Sequence, residues 1–578
     1  MMFKYYKNAT LCTCVMLLLA ANPIWAQRKK NNSNLSEGEK LAVDKNFLDA
    51  NREKIMGNDV HALDLFEAVI KVDHKNAASY YEASHLLWKQ KKALKAVEYA
   101  NIAAGLYPDN EWYLMWQAEL LQRMGENKQA LKVYEQLVEI KPNNIEFYLL
   151  KASALFDEKK YTEAIDVYNE VEKRFGVDPT IIREKQRIWL KLGKVDKAAA
   201  ELEKLIAKQP DDPTYYILMI ELYQANNLYD DVLKTIKRLE TAQPNHPAVA
   251  LSYAEYYRTI HKNDLSFNWL QKAFTNADLQ SELKTKVLMS YIGLAQDNDT
   301  MMQQALELSK IFSQTNSAEF IPHAMYGDFL MMDKQLEPAM LQYREALKIE
   351  KNNVQIWQQL LQCSAELNNY QTLADDSKEA ITFFPDQPLF YYFNGVANGI
   401  LKKNDEAVQS LNNGAKLVVD NDNLLVEFFS SLGDNYHSLK KYTESDAAYE
   451  KALKIDPRNI PVLNNYAYYL SLRKSNLSRA AEMSKLSNDL SPDNGTYQDT
   501  YAWVLFQQGN YAQAKDWQAK AIKNSNPPSG TLFEHYGDIL YKLGEVAEAL
   551  NFWKKAKETG EFSDLLEVKI SRSAYVEN

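Results

Sequence analysis

Glycine, proline and cysteine are all scarce in this chain. Its 578 residues include 18 glycines and 17 prolines, roughly half of average usage for each. Nucleotide-cradling loops and turn-rich sheet folds consume glycine, so both are disfavoured, as are collagen-like and low-complexity sequences. Positive charge is not in excess either. Lys plus Arg number 67 against 77 Asp plus Glu, a formal charge of −10 with no long basic run, which argues against nucleic acid as a partner. The three cysteines are Cys12, Cys14 and Cys363. Long apolar runs are nearly absent: the one at Leu11–Ala21 covers 11 residues, about 16 Å as a helix and half of a hydrocarbon core. What is abundant is the composition of a folded protein, 46% apolar and 25% charged, and these proportions with short connections favour an all-helical chain.

Residues 1–26 place Lys4 and Lys7 before that apolar run and end it at Pro23-Ile24-Trp25-Ala26, ahead of Gln27-Arg28-Lys29-Lys30. This is the layout of a secretory signal peptide, with cleavage expected after Ala26. Cys12 and Cys14 lie at the start of the run rather than just beyond it, so lipid anchoring is not expected. Export would remove both of them, leaving Cys363 as a single thiol unable to form an internal disulfide. It would also shift the charge to −12 through loss of Lys4 and Lys7. The expected location is exported, periplasmic or secreted, with no integral membrane segment once the signal is gone. Residues 27–36 are polar and aperiodic, a flexible leader.

Pro108, Pro142, Pro210 and Pro244 are spaced by 34, 68 and 34 residues, and each precedes an Asn or Asp and a new amphipathic segment. Helix breakers at a fixed period signal a repeat. The row Ala77–Asn110 carries Tyr80, Ser84, Leu87, Ala96 and Ala103, and the row Glu111–Asn144 repeats the register with Leu114, Ala118, Leu121, Ala130, Tyr134 and Leu137. Later rows follow, among them Gly327, Leu330, Ala339 and Tyr343, then Gly433, Tyr436, Tyr449 and Ala452, then Gly537, Leu540, Ala549 and Trp553. This pattern of large apolar, small, large apolar, then Ala, aromatic, small and Pro resembles the tetratricopeptide repeat family. The resemblance implies an all-α, right-handed superhelical solenoid of about fourteen helix pairs. The expected organisation is an N-terminal block at 37–246, degenerate repeats or a hinge at 247–318 where Ser266 replaces an expected Ala, a C-terminal block at 319–561, and a capping helix and tail at 562–578 whose last residues fray.

Motifs for chemistry are missing. No two of the eight histidines have ligand spacing, and no phosphate loop, dinucleotide fingerprint or nucleophile elbow occurs. No cofactor, no metal and no catalytic residue is expected, and the chain is read as a non-enzyme. In the resembled family, partners bind the concave face built by first helices. That register selects Tyr81, His85, Trp88, Trp112, Met115 and Phe156 as an aromatic set, Arg183, Arg187 and Lys191 as a basic ridge one helical turn apart, and Trp503, Phe506 and Tyr541 in late rows. Aromatic anchors and arginine forks suit an extended peptide or a partner helix. The Lys and Asn pattern of members that clamp chaperone tails is not reproduced, since Tyr81 and His85 occupy those places. The signal ending Trp-Ala-Gln and the row Asp499-Thr-Tyr-Ala-Trp-Val-Leu-Phe-Gln-Gln-Gly509 resemble envelope repeat proteins of Bacteroides-type bacteria. The expected function is therefore a scaffold or assembly factor of a bacterial cell envelope with envelope proteins as partners. The rivals are a carbohydrate-binding surface component, favoured if Trp88, Trp112, Trp503 and Tyr541 are open stacking platforms, and an enzyme with a recessed, non-local cluster of titratable groups.

Overall fold

The computed structural model describes residues 35–577. The chain is all-α: 31 helices run from Glu37–Ile55 to Leu566–Arg572, with no strand among the described residues. Most are 13 or 14 residues long, about 20 Å at the usual helical rise. The expected signal peptide, residues 1–26, and the leader up to residue 34 lie outside the described residues. No described helix is long and apolar enough to cross a membrane.

Many first helices of pairs start at a side-chain cap. The side chains of Asn110, Asn144, Asn353 and Asn494 accept from backbone N–H groups of the following first turn, and Asp178 and Asp212 do the same ahead of Pro179 and Pro213. A cap of this kind claims a donor that has no partner inside the helix, and proline at the first helical position loses nothing. The prolines of the 34-residue period sit in the turns between pairs. Some proline carbonyls in these turns accept from a side chain six residues on, Tyr148 to Pro142 at 3.2 Å, Tyr216 to Pro210 at 3.0 Å and Gln498 to Pro492 at 2.5 Å, whereas Pro108 accepts from Gln136 at 2.7 Å.

Within a pair the two helices are joined by a tight turn containing one left-handed residue. It is Gly125 (φ 79°), Gly193 (φ 68°) or Gly509 (φ 80°) in some pairs but Lys91 and Lys159 (both φ 61°) in others. A side chain in that region costs about 1 kcal/mol, so the turn tolerates lysine, and few glycines suffice for many turns.

The small residues sit where the paired helices cross. Ala118 and Ala130, and Ala152 and Ala164, are fully buried. In other pairs glycine takes one side of the crossing: a Cβ on Gly327 would lie 2.7 Å from the Tyr343 ring, and one on Gly433 2.6 Å from the Tyr449 ring. Gly395 has the same role against Leu411, while Gly399 faces Asn435 on the first helix of the next pair, Asp422–Ser438.

The packing separates into two units, one ending at Ser252 and one starting at Tyr253. In the first, helices from Glu37–Ile55 to Tyr229–Ala242 alternate around buried residues such as Phe66, Leu87, Leu121, Leu155 and Leu202. In the second, a cluster centred on Phe274, Phe312, Tyr343, Trp357 and Phe390 is followed by smaller ones around Tyr449 and Leu470, and around Trp503 and Ile539. Residues 247–318 form the helices Pro247–Thr259, Asn263–Thr275, Ser281–Ala295 and Asp299–Thr315. Ser266 substitutes for alanine without an orphaned hydroxyl, because its Oγ donates to the Ala254 carbonyl at 2.8 Å.

Candidate partner-binding site

In the second unit, first helices of successive pairs touch: Asp422–Ser438 meets Ile460–Leu472, which meets Gly495–Gln507, which meets Gly530–Lys542. Side chains at the same register positions of these helices therefore share one face. In the first unit the same neighbourhood is seen through ring contacts. Tyr81 lies 5.0 Å from Tyr113, and His85 stacks on Trp116 at 3.6 Å. Trp116 is held from behind, donating its indole N–H to Ser84 at 2.8 Å. Burial, with Lys54 nearby, drives the His85 pKa down to about 4, so the ring is neutral at pH 7.

Of the other residues expected in the early rows, Trp112 is 60% exposed, Met115 is half-buried, and Trp88 is half-buried under the Arg123 guanidinium, 5.7 Å from its ring. The basic ridge is exposed at Arg183, Arg187 and Lys191. Arg187 sits 4.4 Å over the Phe156 ring, with Lys191 5.0 Å over the same ring, and Arg187 also pairs with Glu184 at 2.7 Å. The ridge is thus a cation-covered aromatic surface open to solvent. A few residues away, Lys185 points the other way: its side chain is fully buried and bonded to Glu172 and Glu201 at 3.0 and 2.7 Å, with Lys204 reaching the same two carboxylates.

The late rows require a correction. Trp503 and Phe506 are only 8% and 4% exposed, so neither is an open anchor. Trp503 is sandwiched between His535 (4.0 Å) and Phe506 (4.7 Å). Phe506 is covered by Tyr575, with ring centroids 5.7 Å apart. Tyr541 is half-buried against Trp553 at 5.9 Å. Tyr575 joins this apolar cluster, and Glu577 pairs with Lys474. Trp503, Tyr575, Glu577 and Lys474 border a cleft of about 560 Å³ that is also lined by Lys569, His535 and Thr531.

A recessed titratable cluster forms the floor of that cleft. Lys569 bridges Glu534 (2.7 Å) and Asp538 (2.6 Å), Trp553 donates to Asp538 at 2.9 Å, and Ser563 gives both its amide and its hydroxyl to Glu534. His535 pairs with Asp499 at 2.9 Å. Burial raises the Asp538 pKa to about 6 against the pull of Lys569. Burial opposes charge on His535, yet Asp499, Asp538 and Glu534 raise its pKa above the ordinary value. These groups bond to one another and tie the terminal helix Leu566–Arg572 to the last pair.

Register reasoning missed several of these residues. Asp328, Asp434 and Asp538 accept from Tyr343 (2.9 Å), Tyr449 (2.6 Å) and Trp553 (2.9 Å); Asp538 is buried, Asp434 half-buried and Asp328 exposed, and desolvation raises the pKa of each. Their signal is visible in the sequence: Gly-Asp followed by an aromatic fifteen residues after the Asp, three times. Cys363 is fully buried, with its thiol pushed up to about 11. Among the described residues no group of three or more His, Cys, Asp and Glu is placed to hold a metal ion.

Comparison with known proteins gives the repeats their name. Residues 189–256 and 426–459 match the tetratricopeptide repeat family, and residues 89–171 match the family described as anaphase-promoting complex, cyclosome, subunit 3. Human tetratricopeptide repeat protein 21A is 21% identical over 52% of this chain and 24% of its own length. Hsp70-Hsp90 organizing protein 2 of Arabidopsis thaliana is 24% identical over 34% of this chain and 36% of its own. The chain thus spans about a quarter to a third of these relatives. A crystal structure of a tetratricopeptide repeat protein from Parabacteroides merdae covers 44% of this chain and 98% of its own, with 15% identity and a TM-score of 0.37.

Proposed function

The chain carries tetratricopeptide repeats, and on that premise we propose that it is a non-catalytic scaffold or assembly factor of a bacterial cell envelope. It is exported and recognises protein partners on its first-helix face. The observation that carries the reading is the exposed basic ridge. Arg183, Arg187 and Lys191 present cations to solvent above Phe156, a surface suited to a partner segment with carboxylates beside apolar side chains. One relative is named for organizing two proteins, the Hsp70-Hsp90 organizing protein 2, which accords with a protein-binding role, and the net charge of −10 disfavours nucleic acid as a partner.

The test is affinity capture from an envelope fraction with the wild-type chain and with Arg183→Glu/Arg187→Glu. Both side chains lie at the surface, so the variant is expected to keep its unfolding midpoint and lose its partners. Unchanged capture overturns the assignment of the ridge.

The exposed Trp112 favours a second reading, a carbohydrate-binding surface component, because a solvent-facing indole is a stacking platform for a sugar ring. Quenching of tryptophan emission by oligosaccharides, lost in Trp112→Ala, would support it over the protein partner.

A further inference from the structure

One wall of the C-terminal cleft is an extended peptide: Tyr575, Val576 and Glu577 line it together with Trp503, His535 and Lys569. The helix Leu566–Arg572 is fixed to the last pair through Lys569. Ser573 then takes a left-handed conformation (φ 46°), and the amides of Ser573 and Ala574 close onto the carbonyls of Ile570 and Lys569. From there the chain runs along the cleft. Tyr575 lies on Phe506 with the Lys542 ammonium 4.4 Å from its ring centre and Lys569 at 5.6 Å. Two residues on, Glu577 pairs with Lys474, 103 positions back along the chain.

We propose that the surface covered by Ser573–Glu577 is a binding site for an extended partner segment in which an aromatic residue is followed two positions later by a carboxylate, and that Ser573–Glu577 is the tethered occupant such a segment displaces. The proposal rests on reading the chain as a partner-binding array. The chemistry of the occupant is read from its contacts: the Phe506 ring and the Lys542 and Lys569 ammonium groups around Tyr575, and a third cation at Lys474 paired with the acidic side chain. The hold on the tail is weak. The Lys474 and Glu577 side chains are about half exposed (52% and 56%), and ion pairs so hydrated add little. What keeps the tail seated is its short tether, which gives an effective concentration on the order of millimolar. A partner segment with more apolar contact, or one brought close by binding elsewhere on the array, competes against that tether.

The experiment uses the full chain and a fluorescent, C-terminally amidated peptide with the sequence Ser-Ala-Tyr-Val-Glu, read by anisotropy. The wild-type chain is expected to bind it at least tenfold more weakly than Tyr575→Ala/Glu577→Gln, in which that surface is vacated. Adding Lys474→Glu to that variant should abolish the gain, while adding Lys348→Glu, a cation on another helix, should leave it intact. Equal affinity for wild type and the vacated variant, or binding indifferent to Lys474→Glu, overturns the proposal. So does a concentration-dependent dimer of the wild type that vanishes in the vacated variant, since the tail would then belong to a second copy. If the double variant has a lowered unfolding midpoint, Glu577→Gln alone, with the aromatic contact kept, must still raise affinity over wild type. The arginine-ridge capture experiment concerns residues 183 and 187 only, so either result can fail while the other stands.

Discussion

His85 lies flat against Trp116, with ring centroids 3.6 Å apart and planes within 18° of parallel. A neutral imidazole stacks there without cost, whereas a charged one would have to be partly desolvated beside Lys54. Burial and Lys54 place its folded pKa at about 4, below the ordinary value near 6.5. Below about pH 6.5 the unfolded chain binds a proton that the folded chain refuses, so stability is lost as pH falls from 6.5 toward 4. The loss from this group is roughly 2 kcal/mol once screening at the partly open ring is allowed for. Urea unfolding at pH 7.5 and pH 4.5 should show a smaller pH dependence for His85→Gln than for wild type. An identical dependence would assign the acid sensitivity elsewhere.

Two glycine substitutions should move stability in opposite directions. A Cβ on Gly433 would lie 2.6 Å from the Tyr449 ring, and Tyr449 is fully buried and hydrogen-bonded to Asp434 at 2.6 Å, so the ring has nowhere to go. Gly433→Ala should cost about 1–3 kcal/mol as overpacking. Gly105, inside the helix Ala93–Leu106, has no atom within 4 Å of its missing Cβ. Gly105→Ala should stabilise by about 0.5–1 kcal/mol. Thermal unfolding followed by circular dichroism checks both signs.

Removing the buried cation at Lys185 should cost about 3 kcal/mol, the effect of leaving buried carboxylates with one partner fewer. Burial disfavours the charge on this lysine and lowers its pKa, against the pull of Glu201 and Glu172. In Lys185→Met the exposed Lys204 must serve both carboxylates alone. Adding Glu172→Gln removes one of them and should recover part of the loss. Denaturant midpoints of the single and double variants measure the coupling, and strict additivity would refute it.

Lys569→Met should release the terminal helix while leaving the preceding pairs folded. Glu534 and Asp538 would lose their shared cation, and residues 562–577 would lose their anchor. Hydrogen exchange should become faster across Leu566–Arg572 by at least tenfold, with little change at Gly495–Gln507. Uniform acceleration along the chain would mean that the last helix is not a separable cap.

The paired helices are legible in the sequence because their signals are local and repeated. Pro142 and Pro210 mark turns, Asn110 and Asn144 mark starts, and Ala118 and Ala130 mark a crossing. The first-helix register likewise brings Tyr81, His85 and the ridge at Arg183 and Arg187 to one kind of face. It fails at Trp503 and Phe506, because what covers Phe506 is Tyr575, a residue of the chain end with no repeat register. The same holds for Lys474, whose partner Glu577 is 103 residues away. Contacts made once between distant segments leave no periodic trace. The Gly-Asp positions at 327–328, 433–434 and 537–538 do leave one, and it becomes legible once the aromatic fifteen residues after each Asp is counted.

The caps at Asn110 and Asn144 are interchangeable in a way that bears on how such a chain changes length. Each ends a Pro-x-Asn turn and accepts from the amide two residues on, at 3.0 Å in both cases. Excision of residues 111–144 would set Asn110 directly before Ile145, with Pro108 six residues ahead of Tyr148 as Pro142 is now. A chain with that deletion should fold with unchanged helicity per residue by circular dichroism. Whole pairs can therefore be gained or lost by duplication or deletion without inventing a junction, so the number of repeats is a quantity that selection can adjust in fixed steps.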